Sequence, residues 1–298
     1  MKILIAGGNS QLAKEIKYII DKGSSSLGDI DSRSIQGEFI SLSREELDIT
    51  DLNMVKEVVN NIKPDVIINC AAYTNVDGCE SDFKGAFQVN ALGPRNLAIA
   101  AKEANSKLLH ISTDYVFDGK GTSPYKEYDR INPKSVYGKT KALGDDYVRE
   151  FCDKYFIVRT SWLYGRFGKN FVYTISNLAD KNDSIKVVND QLGNPTNCED
   201  LAYNILNLIV TEEYGIYHCT GEGICSWYDF AVEIIKLKGC NCKVEPCTTE
   251  EYPRPAKRPS YSALDNLMLQ CTIGNTMRYW KDALKDFFQS QINDKKEV

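Results

Sequence analysis

Over its first 160 residues this chain alternates strand and helix signals, and no other feature restricts the fold as strongly. Apolar runs at residues 2–6, 38–42, 65–69, 107–112 and 156–160 read as strands. Helical periodicity fills the intervals at 11–22, near 52–62, from about 80 to 104 and around Tyr137. A strand that follows such a helix returns parallel to its predecessor, which predicts a parallel sheet covered by helices. Ligands of such sheets sit at the carboxyl ends of the strands. After Trp162 the alternation becomes irregular, so a smaller substrate-binding part is expected there. The fold class is therefore α/β, a Rossmann-like doubly wound parallel sheet with a smaller C-terminal substrate-binding domain.

Composition narrows the function classes. With 298 residues, 43% hydrophobic and 26% charged, the chain can bury a substantial core. A net charge of −5 gives no general attraction to nucleic acid or to an anionic membrane. No apolar run approaches the roughly 20 residues that span a bilayer. The opening Met1-Lys-Ile-Leu-Ile-Ala-Gly7 is a strand pattern rather than a signal peptide, so a cytoplasmic protein is expected. Ten cysteines lie scattered among apolar segments and read as reduced thiols. Cys240, Cys242 and Cys247 lack paired zinc-ligand spacing and a neighbouring histidine. The two histidines, His110 and His218, leave hydrolytic triads little to build on, and His110 reads as a packed strand residue. Lys22 to Gly37 reads as a flexible surface loop, and the charged end Asp294-Lys-Lys-Glu-Val298 as frayed.

The turn after the first strand, Gly7-Gly-Asn-Ser-Gln-Leu-Ala13, stands where a dinucleotide fingerprint belongs, between a strand and the helix it opens. In the G-x-x-G-x-x-G spacing its positions are Gly7, Ser10 and Ala13. Alanine is accepted at the third position, whereas Ser10 narrows the approach of a pyrophosphate, which Gly8 can relieve. Asn9, Ser10, Gln11 and Leu12 are the accompanying cofactor candidates. The second strand ends Leu42-Ser43-Arg44, without the acid that an NAD-preferring protein sets against the ribose 2′-hydroxyl. Ser43 and Arg44 suit a 2′-phosphate instead, so NADPH is expected ahead of NADH, a plain surface arginine being the alternative. Asp48 and Ile49 are placed to border the adenine. Ala71, Ala72 and Tyr73, after the third strand, offer a surface against which a dinucleotide can lie.

In Ser135-Val-Tyr-Gly-Lys-Thr-Lys141, Tyr137 and Lys141 share one helix face. A nearby ammonium stabilises a phenolate and draws the phenol toward neutral titration, which suits proton transfer to a carbonyl. The spacing alone is weak evidence, since Tyr18 and Lys22 repeat it. Context separates the two pairs. The fourth strand delivers Thr113 to the carboxyl edge, where its hydroxyl can hold a substrate carbonyl while Tyr137 donates a proton and Lys141 holds the nicotinamide ribose. Tyr18 lies in the presumed cofactor helix without such a partner.

Longer stretches carry a family likeness: Ile68-Asn-Cys-Ala-Ala-Tyr-Thr-Asn-Val-Asp77, Val89-Asn-Ala-Leu-Gly-Pro-Arg-Asn-Leu-Ala98 and His110-Ile-Ser-Thr-Asp-Tyr-Val-Phe-Asp-Gly119. Further ones are Arg159-Thr-Ser-Trp-Leu-Tyr-Gly165, Gly168-Lys-Asn-Phe171, Asp190-Gln-Leu-Gly-Asn-Pro-Thr196 and Arg258-Pro-Ser-Tyr-Ser-Ala-Leu-Asp265. With these, nearly the whole chain resembles the extended short-chain dehydrogenase/reductases and, within them, the dTDP-4-dehydrorhamnose reductases. The resemblance implies Thr113, Tyr137 and Lys141 as the catalytic set, with Asp114, Tyr115, Trp162 and Asn170 toward the sugar. Arg258 is a candidate for the diphosphate, which suits a guanidinium. Trp162 reads either as a stacking surface or as an ordinary core tryptophan. The implied reaction is NAD(P)H-dependent reduction of the C4 ketone of a nucleotide-linked 4-keto-6-deoxy sugar, dTDP-4-dehydro-L-rhamnose in the name case. Members of the family can form homodimers with Mg²⁺ held by carboxylates. Glu15 matches one such position, a solvated helix carboxylate being the alternative. The domains then read as 1–161 plus about 197–222 for the dinucleotide, and about 162–196 plus 223–298 for the substrate.

Ser10 and Ala13 depart from the fingerprint glycines, and Cys70 stands where alanine is usual; these bear on cofactor affinity more than on chemistry. Two competing readings keep the fold. One changes the sugar to another nucleotide-linked 4-keto-6-deoxyhexose. The other is a non-catalytic subunit, like the partners of methionine adenosyltransferase, which the intact Thr113, Tyr137 and Lys141 disfavour.

Overall fold

The computed structural model describes residues 1–294, so the tail at 295–298 lies outside the described residues. Six strands form one parallel sheet: β1 (Ile3–Ala6), β2 (Phe39–Leu42), β3 (Val66–Asn69), β4 (Lys107–Thr113), β5 (Tyr155–Thr160) and β6 (Gly215–His218). Their order is β2-β1-β3-β4-β5-β6. Five helices flank it, α1 (Gln11–Lys22), α2 (Leu52–Ile62), α3 (Gly93–Glu103), α4 (Val136–Phe151) and α5 (Cys198–Ile209).

Alternation along each strand assigns the two faces. Ile3, Ile5, Val66 and Ile68 pack against Leu12, Ile16 and Ile19 of α1 and Leu201, Ile205 and Leu208 of α5. Leu4, Ala6, Ile67 and Leu108 pack on the other side against Val55 and Val59 of α2, Leu97 and Ala101 of α3, and Val148 of α4. Because both faces are covered, the strands read as continuous apolar runs. The chain passes from β2 across β1 to β3, and the connections diverge there, opening a crevice at the carboxyl edge.

Two expected elements differ. The helix read from about 80 to 104 is broken into Val76–Ser81, Phe83–Phe87, a π-turn at Gln88–Leu92, and α3. Asp82 accepts the Gly85 amide and restarts the helix. The π-turn accompanies Asn90, whose side chain accepts from the Tyr73 amide at 2.8 Å and donates to the Tyr73 carbonyl at 3.1 Å. The supposed flexible loop after Lys22 holds a two-stranded hairpin, Ser24–Ser25 with Gly28–Asp29, and a short helix, Ser32–Ile35. Ile30 is buried in the main core, and the Ser34 hydroxyl donates to the Leu206 carbonyl at 3.0 Å.

A second core gathers Tyr164, Val172, Ile175, Phe230, Ile234, Trp280 and Leu284. It includes α6 (Trp227–Lys238) and a parallel pair formed by Ser184–Val188 and Lys243–Cys247. All ten cysteines are unpaired. Among the described residues no helix is long and apolar enough to cross a membrane.

Candidate active site

Two adjoining cavities, of about 510 and 540 Å³, lie at the carboxyl ends of the strands and share Asn9, Ser10, Cys70, Ala71, Ala72 and Thr74. The first is the groove of the glycine turn. Gly7 holds φ +80°, and a Cβ there would lie 2.6 Å from the Ala71 nitrogen, so the two strand ends meet at glycine contact distance. Ser10 is the N-cap of α1, its hydroxyl accepting from the Ala13 amide at 3.2 Å, which explains the missing second glycine. Gln11 and Leu12, in the first turn of α1, line the second cavity. Arg44, Asp48, Ile49 and Tyr73 line the groove with Gly7, and Asn75 and Val89 join them. Arg44 is exposed, with its guanidinium 3.7 Å from Asp48. Ser43 is not among the lining residues; its amide donates to Glu46. The Cys70 thiol, pushed up to about 12 by burial, stays protonated.

The second cavity brings together Thr113, Asp114, Tyr115, Tyr137, Lys141 and Trp162. Ser135 caps α4 by accepting from the Gly138 amide, which fixes where Tyr137 and Lys141 leave the helix. The Thr113 hydroxyl donates to Asp114 at 2.9 Å, and Thr113 and Tyr137 line the same cavity. Burial pushes the Tyr137 phenol above its ordinary range. The expected depression by Lys141 is corrected here: its Nζ lies against the Ile111 carbonyl, at 2.6 Å, and His110 Nε2, at 3.2 Å. Burial brings Lys141 down to about 8, against the pull of Asp145 and Cys70. Burial likewise raises Asp114 to about 6. The phenol is therefore held as a proton donor at neutral pH, beside a lysine that can exchange its charge.

Tyr115 also borders a third cavity, of about 320 Å³, with Lys134, Lys257 and Arg258 on its walls. Arg258 donates to the Tyr115 hydroxyl at 3.0 Å and pairs with Asp77 at 3.0 Å. Asn170 is drawn elsewhere: it is the buried N-cap of the helix Phe171–Ala179, accepting from Tyr173 and donating to the Gly165 carbonyl. An asparagine before the apolar run that starts at Phe171 carries that cap signal in the sequence. Its neighbours Gly168 and Lys169 reach the cavity instead. Trp227 was missed, although the box Ser226-Trp-Tyr-Asp229 marks a helix start. Tyr18 packs against Phe167 and under the Arg166 guanidinium, in keeping with a packing role.

Glu15 is neither solvated nor a fit for Mg²⁺. It is 1% exposed, and Arg166 holds it at 2.9 Å while also pairing with Glu199 at 3.3 Å. A guanidinium already supplies the positive charge beside this carboxylate, and no group of three acidic or metal-ligating side chains suited to a metal occurs among the described residues.

A doubly wound sheet with a glycine turn, and a Thr-Tyr-Lys set at the same edge, define the class: a dinucleotide-dependent oxidoreductase of the short-chain type. Comparisons then reach a narrower group. The family model described as RmlD substrate binding domain matches residues 1–292. A dTDP-4-dehydrorhamnose reductase of Aggregatibacter actinomycetemcomitans is 42% identical over 298 residues, covering 96% of this chain and 97% of that protein. A crystal structure of a dTDP-4-dehydrorhamnose reductase from Clostridium acetobutylicum superposes with TM-score 0.92 at 48% identity, covering 98% of this chain and all of that one. That from Bacillus anthracis, in complex with NADP, gives TM-score 0.91 at 39% identity, with 97% and 100% coverage. The chain belongs to the dTDP-4-dehydrorhamnose reductase family.

Proposed function

We propose that this protein reduces the C4 ketone of a dTDP-linked 4-keto-6-deoxy sugar with NADPH, dTDP-4-dehydro-L-rhamnose being the favoured substrate. The observation that carries this reading is that Thr113, Tyr137 and Lys141 line one cavity that adjoins the glycine-turn groove. The names of the relatives support the sugar, and the NADP in the Bacillus anthracis structure supports the cofactor.

NADPH, when bound, supplies the hydride. Gly7 and the start of α1 hold the pyrophosphate, and Arg44 meets the 2′-phosphate. Thr113 orients the ketone oxygen by hydrogen bonding, and Tyr137 delivers the proton that this oxygen needs as it becomes a hydroxyl. Lys141 holds the nicotinamide ribose and stabilises the resulting phenolate. Asp114, Tyr115 and Trp162 face the sugar, and Arg258 serves the diphosphate from the neighbouring cavity. In this reading residues 1–161 with about 197–222 carry the cofactor, and about 162–196 with 223–298 carry the sugar.

The test incubates purified protein with NADPH and a panel of nucleotide-linked 4-keto-6-deoxy sugars made in situ. Oxidation of NADPH fastest with the dTDP-4-dehydrorhamnose isomer is the expected result. Oxidation with another sugar alone would change the substrate, and oxidation with none would remove the reductase reading.

A further inference from the structure

Beneath Lys141 lies a buried polar network that the reaction as derived does not use. Asn69 ends β3, His110 pairs with it in the register of β4, and neither is more than 1% exposed. The Asn69 carbonyl oxygen accepts the Ala71 amide at 3.1 Å. A backbone N–H can only donate, so this contact fixes the orientation of the Asn69 amide. Its NH₂ group therefore faces His110 Nδ1, at 3.0 Å, and Nδ1 must accept. Burial holds the His110 ring neutral. A neutral ring that accepts at Nδ1 carries its hydrogen on Nε2.

His110 Nε2 lies 3.2 Å from Lys141 Nζ and 3.8 Å from the nearer oxygen of Asp145, which is beyond hydrogen-bond range. We infer that Asn69 fixes His110 as its Nε2–H tautomer, so that the ring donates to Lys141 Nζ and favours the uncharged amine over the ammonium. An amine can accept from Nε2–H while donating one hydrogen to the Ile111 carbonyl, and its second hydrogen is left for the cavity. An ammonium has no lone pair, so it would meet the Nε2–H head on. Asn69 and His110 are thus positioning residues that set where Lys141 titrates.

The other charged or titratable groups around Lys141 are Tyr137 and Asp145 on its own helix, Asp114 beyond β4, Cys70 beyond β3, and Arg159 on β5, which pairs with Asp145 at 3.3 Å. Asp145 and Cys70 favour the ammonium, and burial opposes them more strongly. The His110 donor adds to burial. Lys141 then changes charge near neutrality, where the proton given up by Tyr137 must be replaced. The catalytic consequence rests on the reductase reading, whereas the tautomer does not.

The decisive measurement is a long-range ¹H–¹⁵N spectrum of the full chain labelled with [¹⁵N]histidine. The chain has only two histidines, and His218 supplies an internal contrast. Its Nδ1 lies 3.0 Å from the Tyr125 carbonyl and 3.1 Å from that of Asp265, so it must carry the hydrogen. One Nε2–H and one Nδ1–H pattern are expected, the first disappearing in His110→Phe. A His110 signal of Nδ1–H or imidazolium type would overturn the inference. Asn69→Asp provides the second arm, because a carboxylate must accept from Nδ1–H and so turns Nε2 into an acceptor. The His110 signal should switch tautomer, and the alkaline limb of NADPH oxidation should move up by about one pH unit. A switched tautomer with an unmoved limb would sink the role assigned to Lys141. If wild-type protein turned over no keto sugar, the reductase reading would fail while the spectrum still decided the tautomer.

Discussion

Trp162 and Trp227 stack face to face on the wall of the cavity that holds Tyr137 and Lys141, with ring centroids 3.6 Å apart and planes 10° from parallel. Trp162 adopts φ +46°, a left-handed conformation uncommon for a bulky residue, and Gly193 lies against its indole. One face of Trp162 is taken by its partner, so the pair acts as a rigid wall rather than as a clamp closing on both sides of a sugar.

That wall depends on Gly193, where a Cβ would fall 2.7 Å from the Trp162 ring. Gly193→Ala should displace the indole and raise KM for the keto sugar about tenfold, leaving NADPH affinity unchanged. Steady-state kinetics with a fluorescence titration of NADPH separates the two, and an unaltered KM would remove Trp162 from the sugar site.

Loss of the phenol should stop chemistry without stopping cofactor binding. Tyr137→Phe keeps the ring that meets Tyr115 edge to face at 5.6 Å, so the cavity wall is preserved. Turnover should fall by about 10³-fold, on the order expected for a general acid. Near-normal turnover would transfer the proton donation to another group.

Arg44 is exposed at the rim of the glycine-turn groove, and among the described residues its ion-pair partner is Asp48, at 3.7 Å. Replacing it with alanine should therefore cost little stability, since exposed pairs contribute about 0–1 kcal/mol. Affinity for NADPH should drop about tenfold and that for NADH hardly at all. Equal losses with both dinucleotides would refute the 2′-phosphate contact.

Arg166→Ala strands the buried Glu15 carboxylate and should destabilise the fold by about 3 kcal/mol at pH 8. Burial raises Glu15 to about 7, with Arg166 acting in the opposite sense, and removing the guanidinium would raise it further. A carboxyl whose folded-state pKa is raised favours folding when protonated, fully below about 4.5, and loses that contribution as pH rises through 7. The deficit of the variant should therefore be smaller at pH 5 than at pH 8. Denaturant unfolding at the two pH values measures it, and a deficit independent of pH would show that Glu15 keeps its charge.

Much of the sheet was legible because burial on both faces leaves uninterrupted apolar strands at Ile3–Ala6, Val66–Asn69 and Tyr155–Thr160. Tyr137, Lys141 and Thr113 were legible from a helix repeat and a strand end, both local features. The broken helix before Gly93 was not, since Asp82 and the π-turn at Gln88–Leu92 interrupt a periodicity that remains apolar throughout. Asn170 was read as a substrate residue although its cap position competes for both ends of its amide.

By itself, then, the amino-acid order determined the α/β alternation, the glycine turn and the spacing of the Thr-Tyr-Lys set, because these depend on the periods of strand and helix. Only the tertiary structure decided what surrounds them. Residues distant in sequence meet there: Arg166 neutralises Glu15, Trp227 backs Trp162, and Asn69 orients His110 against Lys141. The charge states of these groups follow from burial and from which donor faces which acceptor, and neither quantity exists until the chain has packed.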